Sequence, residues 1–198
     1  MTPAIFLDRD GTINEEMGYI NHPERFHVFP NVYKALKIFK EMGFKNVIIT
    51  NQSGIARGYF SERLLTQIHD NLIKETRKMG AFIDGIYYCP HHPTEGIDKY
   101  RIDCSCRKPK IGLVTRAIED LDIDLKKSYM IGDRYKDVIF AKKLNLRSAM
   151  VMTGYGKGEY QYQRHTWKQH PDIIGDDLLA VARVIKSEQK LDELEPSV

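Results

Sequence analysis

The chain has 198 residues, enough for one domain with a sizeable hydrophobic core. Its 30 basic and 27 acidic residues leave a net charge of +3, too small an excess to predict binding to nucleic acid or to an anionic membrane. No apolar run approaches about 18 residues and the first residues lack a signal-peptide pattern, so we expect a cytoplasmic protein without a membrane span.

Short apolar runs alternate along the chain with segments of helical period. This alternation is typical of βα units around a parallel sheet. The predicted strands cover residues 4–7, 46–50, 85–88, 129–131, 148–152 and 172–174. We therefore expect an α/β fold with a Rossmann-like, doubly wound and mostly parallel sheet. Residues 1–186 are expected to form one domain, and residues 187–198 a polar C-terminal tail that frays.

The predicted helices lie between these strands and end at residues that favour helix termination. They cover residues 31–42, 62–79, 113–121, 136–144 and 177–185. Gly43 and Gly80 follow two of them, and Asn145 follows a third, where a left-handed conformation can end the helix. Residues 155–167, rich in Tyr, Gln and His, suggest no role from the sequence, and we expect them to form a mobile loop beside the site.

Two carboxylates follow the first predicted strand, which ends in Asp8-Arg9-Asp10-Gly11-Thr12. Side chains alternate along a strand with period two, so Asp8 and Asp10 point the same way and repel each other unless a cation lies between them. An oxygen-seeking ion such as Mg²⁺ would relieve this repulsion. The alternative is an acidic turn that only caps the strand.

Polar residues follow other predicted strands, and ligands bind where the carboxyl ends of parallel strands meet. Thr50 either donates to an anion or caps the following helix. Asp133, after Gly132, is either a third carboxylate of the same site or a helix N-cap. Asp137 lies in the first turn of the next helix, where it either complements the helix dipole or supports a residue that contacts the ligand, rather than being a direct ligand itself. The basic run 107–110 either neutralises phosphoryl oxygens or forms a solvated turn.

The cysteines form a metal-binding pattern with one histidine. Residues 89–106 contain Cys89, His91, Cys104 and Cys106 in the spacing C-x-H-x12-C-x-C. Three thiolates and an imidazole complete a tetrahedral Zn²⁺ site and leave no position for substrate, so we predict a structural zinc loop. His91 fits better than His92 because its spacing mirrors the Cys104/Cys106 pair. The alternative, three reduced and buried cysteines, is disfavoured by their polar neighbours.

The order and context of these motifs resemble the haloacid dehalogenase (HAD) superfamily of phosphotransferases. The matching residues are Asp8 to Thr12, Thr50, Lys108, Gly132-Asp133 and Asp137. The resemblance covers residues 5–152, nearly the whole chain. Only a loop, a helix and a strand separate the first two motifs, which implies a capless active site whose loops select the substrate. The second carboxylate, Asp10, favours a phosphatase over a dehalogenase.

The resemblance implies a catalytic set of Asp8, Asp10, Thr50 and Lys108. Asp8 would attack phosphorus and form an aspartyl-phosphate. Asp10 would protonate the leaving alkoxide and then activate water, which requires a pKa raised toward neutrality. Mg²⁺ would be held by Asp8, the backbone carbonyl of Asp10 and Asp133. Thr50 and Lys108 would hold the remaining phosphoryl oxygens.

Further segments resemble the heptose-bisphosphate phosphatases of the histidinol-phosphatase-like branch. They cover residues 8–14, 18–19, 50–58, 89–93 and 104–109. The resemblance implies substrate contacts from Glu16, Met17, Gly18, Tyr19, Asn51, Gln52, Ser53, Arg107 and Arg134. Arg57 joins Arg107, Arg134 and Lys136 as a candidate cation for a second phosphate. Arg134 departs from the family pattern, in which we expect lysine, and the two cations hydrogen-bond differently.

Two alternatives stay open from the sequence. Histidinol phosphate is an amine-bearing monophosphate that would prefer carboxylates at the distal end of the site. A zinc-stabilised, non-catalytic binding module is a different class of function, but the chain shows neither the basic stripe nor the charge excess of a nucleic-acid reader. We expect a monomer whose partner is a small phosphorylated sugar, with no nucleic acid and no membrane bound.

Overall fold

The sheet is parallel throughout and doubly wound. The computed structural model describes residues 1–194. Its strands are β1 (Ala4–Leu7), β2 (Lys45–Asn51), β3 (Gly85–Cys89), β4 (Tyr129–Gly132), β5 (Arg147–Val151) and β6 (Ile173–Gly175). They lie in the order β3-β2-β1-β4-β5-β6, and every neighbouring pair is parallel. The order reverses between β1 and β4, where α/β sheets open a crevice for ligands. The predicted fold class is confirmed.

The helices cover both faces of the sheet. They are α1 (Val32–Glu41), α2 (Glu62–Lys78), α3 (Gly112–Leu121), α4 (Tyr135–Lys143), α5 (Gly156–Gln163) and α6 (Leu178–Leu194). Alternate residues of β1 face opposite layers: Ile5 and Leu7 pack in the core formed with α1 and α6, whereas Ala4 and Phe6 pack in the core formed with α3 and α4. Burial on both faces explains why β1 is a continuous apolar run.

Helix ends agree with the sequence prediction to within a few residues for α1 to α4. Gly43, Gly80 and Asn145 follow α1, α2 and α4 with φ of +84°, +68° and +55°. This is the left-handed conformation that ends a helix and satisfies its last carbonyls. The Ser61 hydroxyl accepts a hydrogen bond from the Leu64 N–H at 3.2 Å and so caps α2. Local capping chemistry therefore sets these boundaries.

The C-terminal third differs from the sequence prediction in two places. Residues 155–167, expected to form a loop, contain α5 and a short 3-10 turn. The Trp167 ring stacks on Tyr135 of α4 with ring centres 4.4 Å apart, and this long-range contact holds the segment. The last helix, α6, continues to Leu194 rather than ending at residue 185. The predicted frayed tail is therefore helical over residues 187–194, and residues 195–198 lie outside the described chain.

No helix in residues 1–194 combines the length and the apolar character needed to cross a membrane.

Candidate active site

The end of β1 places Asp8 at the point where the strand order reverses. The Asp8 backbone N–H donates to the Ile131 carbonyl at 2.9 Å, which continues the pairing with β4 beyond the strand. In the turn that follows, Gly11 has φ of +80°, and a Cβ there would lie 2.2 Å from Asp133 Oδ2. Glycine adopts this positive φ at no steric cost, and a residue with a Cβ would clash with Asp133. The turn thus brings the residues after β1 against the carboxylate that follows β4.

A buried lysine joins two carboxylates in this crevice. Lys108 Nζ lies 3.0 Å from Asp8 Oδ1 and 3.0 Å from Asp137 Oδ1, and all three side chains are buried. Burial opposes the charge on the Lys108 ammonium, but Asp137 and Asp8 outweigh burial and raise its pKa. Asp137 therefore pairs directly with the lysine of the site, which agrees with the expected role of supporting a residue that contacts the ligand.

Asp8, Asp133 and Asp137 form an acidic group in which one oxygen from each carboxylate lies within 4.8 Å of the others. Asp133 Oδ1 and Asp137 Oδ2 are buried and have no hydrogen-bond partner among the residues described. Burial, with a further contribution from the Asp8 carboxylate, raises the pKa of Asp133 to about 8. Buried carboxylate oxygens without partners are the donors that a hard divalent cation uses, so this group fits Mg²⁺.

The structure contradicts the two capping alternatives. The Thr50 hydroxyl accepts a hydrogen bond from Gln52 Nε2 at 3.0 Å, and the next helix, α2, begins only at Glu62. Asp133 does not cap α4: its Oδ2 accepts from the Tyr155 N–H at 2.8 Å, and the N-cap residue of that helix is Arg134, whose side chain makes no capping hydrogen bond. Both side chains are buried at the carboxyl ends of their strands, where the sequence placed them.

Asp10 has hydrogen-bond donors on all sides. Arg9 Nη2 lies 2.8 and 2.9 Å from its two oxygens, and Asn14 and Gln52 donate at 3.0 and 2.7 Å. Burial opposes ionisation of Asp10, but the Arg9 guanidinium and these hydrogen bonds outweigh burial and hold its pKa below the usual range. Burial raises the pKa of Asp8 instead. The raised pKa predicted for Asp10 is therefore wrong in this structure, because the sequence did not reveal the surrounding donors.

A buried histidine lies behind Arg9 and was missed from the sequence. His69 Nε2 of α2 is 3.1 Å from Arg9 Nη1. Burial and the nearby guanidinium lower the pKa of His69 to about 3, so the ring is neutral and accepts the hydrogen bond from Arg9. His69 is 60 residues from Arg9 and sits within the apolar stripe of α2, so no local signal marks it.

Two contacts fix the segment that carries Lys108. The carboxamide of Asn51 donates to the Lys108 carbonyl and accepts from the Lys108 N–H, each at 3.0 Å. Arg107 Nη1 donates to the carbonyl of His91 at 3.0 Å. The end of β2 and the cysteine loop therefore hold Arg107 and Lys108 from opposite directions.

A cavity of about 300 Å³ opens above these strand ends. It is lined by Asp8, Asp10, Glu16, Gly18, Tyr19, Thr50, Asn51, Ser53, Arg107, Lys108, Asp133, Arg134, Lys136 and Tyr155. Among the described residues, the lining leaves out three predicted substrate contacts. Gln52 is buried behind the cavity, and Met17 lines a separate shallow depression. Arg57 pairs with Glu95. Tyr155 is a lining residue that the sequence did not reveal.

The predicted zinc ligands come together beside this cavity. One ligand atom from each of Cys89, His91, Cys104 and Cys106 lies within 4.8 Å of the others. The sulfur of Cys104 is 3.5 Å from that of Cys89 and 3.2 Å from that of Cys106. Metal–sulfur bonds of about 2.3 Å give tetrahedral edges of about 3.8 Å, so this group fits a small tetrahedral ion. His92 is turned away, and its Nδ1 accepts from the Glu95 N–H at 2.9 Å.

The fold and the strand-end acids define a HAD-type hydrolase. Residues 105–181 match the model of the HAD-hydrolase-like family.

Known proteins similar to this chain identify its family within the HAD-type hydrolases. The chain is 43% identical over 180 residues to the D-glycero-beta-D-manno-heptose-1,7-bisphosphate 7-phosphatase of Haemophilus influenzae, covering 88% of this chain and 97% of that protein. It is 42% identical over 153 residues to the Escherichia coli K12 protein of the same name, with 77% and 80% covered. A crystal structure of D,D-heptose 1,7-bisphosphate phosphatase from B. bronchiseptica with magnesium and phosphate superposes with a TM-score of 0.81, at 30% identity, covering 94% of this chain and 99% of that one. The chain belongs to this family of heptose-bisphosphate phosphatases.

Proposed function

We propose that the protein is a Mg²⁺-dependent phosphatase that removes the 7-phosphate of D-glycero-β-D-manno-heptose 1,7-bisphosphate. The buried group at the strand switch point carries this proposal. It combines a carboxylate available for attack, Asp8, with a fixed cation, Lys108. It also contains Asp133 and Asp137, each of which keeps one buried oxygen without a hydrogen-bond partner among the described residues. The names of the relatives supply the sugar and its anomer.

The side chains are assigned roles in two steps of phosphoryl transfer. Asp8 attacks phosphorus, the bond to the sugar oxygen breaks, and an aspartyl-phosphate forms. Asp10 must first take up a proton, because Arg9 and its hydrogen-bond donors favour the carboxylate, and a bound phosphate beside it favours this uptake. Asp10 then delivers the proton to the leaving oxygen and later accepts one from the attacking water. Gln52 and Arg9 hold the Asp10 carboxylate at 2.7 to 2.9 Å, so its position is set before substrate enters. Water then hydrolyses the aspartyl-phosphate and regenerates Asp8.

Mg²⁺ is proposed to bind between Asp8, the Asp10 carbonyl and Asp133. The support is the donor chemistry: crowded, buried carboxylates and a magnesium-bound relative of the same fold. Bound there, the ion offsets negative charge on the phosphoryl oxygens and favours ionised Asp8. Thr50 and Lys108 are proposed to hold the other phosphoryl oxygens.

The charge of the cavity favours a bisphosphate. Besides Lys108, the lining includes Arg107, Arg134 and Lys136. One phosphate at Asp8 leaves a second phosphate for these cations, and bidentate arginine contacts suit it. Histidinol phosphate would instead place its ammonium among like charges. Because Arg57 is held by Glu95 outside the cavity lining, we do not assign it to the second phosphate.

Zn²⁺ is proposed as the ion of the cysteine group. Three sulfurs and one imidazole fill a tetrahedral shell, which leaves no position for substrate and makes the ion structural. Its physical task is to order the loop from Cys89 to Cys106 and, through the hydrogen bond between Arg107 and the His91 carbonyl, to steady one wall of the cavity. Metal analysis of protein purified without chelator should find close to one zinc per chain; a metal-free preparation with full activity would contradict this assignment.

The substrate assignment is tested by steady-state kinetics in Mg²⁺. We expect the highest kcat/KM for the β anomer of heptose 1,7-bisphosphate, compared with the α anomer and with histidinol phosphate. Asp8→Asn should reduce turnover at least about 1,000-fold because it removes the nucleophile. Asp120→Asn, an exposed change remote from the cavity, is the matched control. A preference for histidinol phosphate, or near wild-type turnover by Asp8→Asn, would overturn the proposal.

The remaining expectations are part of the same proposal. The protein is expected to act as a monomer in the cytoplasm, as one domain over residues 1–186, on a small phosphorylated sugar and without binding nucleic acid or membranes. Size-exclusion chromatography with light scattering tests the oligomeric state.

A further inference from the structure

Arg134 occupies a position where we expected lysine, and an arginine needs more support than a lysine to act on phosphate. The arginine guanidinium is planar and can donate two parallel hydrogen bonds to two oxygens, but only when its plane is held in one orientation. Arg134 lines the cavity, and its side chain is 37% exposed, so solvent alone would leave it mobile. The structure shows two contacts that restrict it.

The first contact is an ion pair with α5. Arg134 Nε lies 2.8 Å from Glu159 Oε1. The other carboxylate oxygen of Glu159 accepts a hydrogen bond from the Tyr135 N–H at 2.7 Å, at the start of α4. Glu159 is only 8% exposed, and both of its oxygens are used. Its carboxylate is therefore a fixed acceptor rather than a loose surface charge.

The second contact covers one face of the guanidinium. The central carbon of the Arg134 guanidinium lies 4.4 Å from the centre of the Tyr155 ring, a cation–π geometry. The Tyr155 N–H donates to Asp133 Oδ2 at 2.8 Å, so the ring is anchored to the acidic group. With Nε engaged and one face covered, the two Nη atoms remain, and neither has a hydrogen-bond partner within residues 1–194.

From this juxtaposition we infer that Glu159 is a positioning residue: it orients the Arg134 guanidinium so that both Nη atoms face phosphoryl oxygens of the substrate. The inference rests on the proposed phosphatase function and adds a residue to it. In this arrangement α5 brings the Glu159 carboxylate to the Nε edge of Arg134.

A purely structural role for Glu159 makes a different prediction. In that case its hydrogen bond to the Tyr135 N–H, at the start of α4, would be the only contact that matters. Glu159→Gln separates the two roles, because the amide oxygen still accepts from Tyr135 whereas the amide nitrogen cannot accept from Arg134 Nε. The variant keeps the shape of the side chain and the helix contact, and removes the support of the guanidinium.

The test is a double-mutant cycle on Glu159→Gln and Arg134→Lys. The readouts are turnover of p-nitrophenyl phosphate in Mg²⁺ and the inhibition constant of inorganic phosphate. We expect Glu159→Gln to raise the KM and the phosphate inhibition constant about tenfold, the lower range for losing a hydrogen bond to a charged group, and to change kcat much less. In the Arg134→Lys background, which has no guanidinium to orient, Glu159→Gln should have little further effect on either constant.

A remote pair of the same chemistry is the control. Glu188 forms two hydrogen bonds to Arg147, at 2.9 and 3.0 Å, on the outer surface, and Glu188→Gln should leave phosphate inhibition unchanged. An undiminished effect of Glu159→Gln in the Arg134→Lys background would show a structural role and overturn the inference, as would an unchanged inhibition constant in the single variant. If the wild-type protein hydrolyses no phosphate ester, the proposed function itself fails, which is a separate and distinguishable result.

Discussion

Replacing Lys108 by methionine removes a cation that lies between two buried acids. Lys108 Nζ is 3.0 Å from both Asp8 and Asp137, and its side chain is 5% exposed. Loss of one partner from a buried ion pair leaves a charge without compensation, which costs about 3–5 kcal/mol. In a chain of this size each kcal/mol lowers Tm by about 2–4 °C, so Lys108→Met should unfold about 10 °C below wild type in chelator.

Mg²⁺ should reverse much of this loss. The variant keeps the acidic group of Asp8, Asp133 and Asp137 but has no internal cation, so a divalent ion has more charge to offset. Ligand binding to the folded state stabilises it by mass action. We therefore expect Mg²⁺ to raise the Tm of Lys108→Met by more than it raises the Tm of wild type, although hydrolysis stays abolished because the phosphoryl oxygens lose their lysine.

The assay is thermal unfolding in chelator and in saturating Mg²⁺, with phosphate-ester hydrolysis in parallel. Lys110→Met is the matched control, two positions away: Lys110 pairs with Asp103, but both side chains are largely exposed, and an exposed pair contributes about 1 kcal/mol or less. If Lys108→Met and Lys110→Met unfold at the same temperature in chelator, the buried ion group does not contribute as reasoned and the argument is refuted.

Two further predictions concern the residues around the acids. Gly11→Ala should weaken Mg²⁺ activation at least about tenfold, because its Cβ would lie 2.2 Å from Asp133 Oδ2. The measurement is a titration of activity with Mg²⁺. Gly43→Ala is the control for backbone strain, because Gly43 has a similar φ but open space around its Cβ position. Between pH 6.5 and about 3 the unfolded chain protonates His69 and the folded protein does not, so stability falls as the pH falls. The free energy of unfolding, measured by chemical denaturation, should therefore fall between neutral pH and about pH 4.5. The fall should be about 2–3 kcal/mol smaller in His69→Gln than in wild type. An equal fall in both proteins would contradict the neutral buried ring.

Features set by neighbours along the chain were readable from the sequence. The apolar run before Asp8, the alternation of strands and helices, and the stop residues Gly43 and Asn145 depend on periodicity and on backbone conformation. The cysteine and histidine spacing was also local enough to select His91 over His92, and the structure groups the selected ligand atoms within 4.8 Å.

Features set by distant partners were not readable. Asp10 was expected to have a raised pKa, but the guanidinium of Arg9 lowers that pKa. Two distant partners complete this arrangement: His69 contacts Arg9, and Gln52, 42 residues from Asp10, donates to the Asp10 carboxylate. Residues 155–167 carry no helical stripe because their fold depends on Trp167 stacking against α4.

The amino-acid sequence by itself determined the sheet, its order of motifs and the identity of the chemical groups at the strand ends, since these follow from side-chain type and short-range backbone preference. Only the tertiary structure decided the pKa values of those groups and the orientation of their side chains. The pKa of Asp10 and the orientation of Arg134 depend on side chains brought within 3 Å by packing, and Coulomb and hydrogen-bond energies vary steeply over that distance.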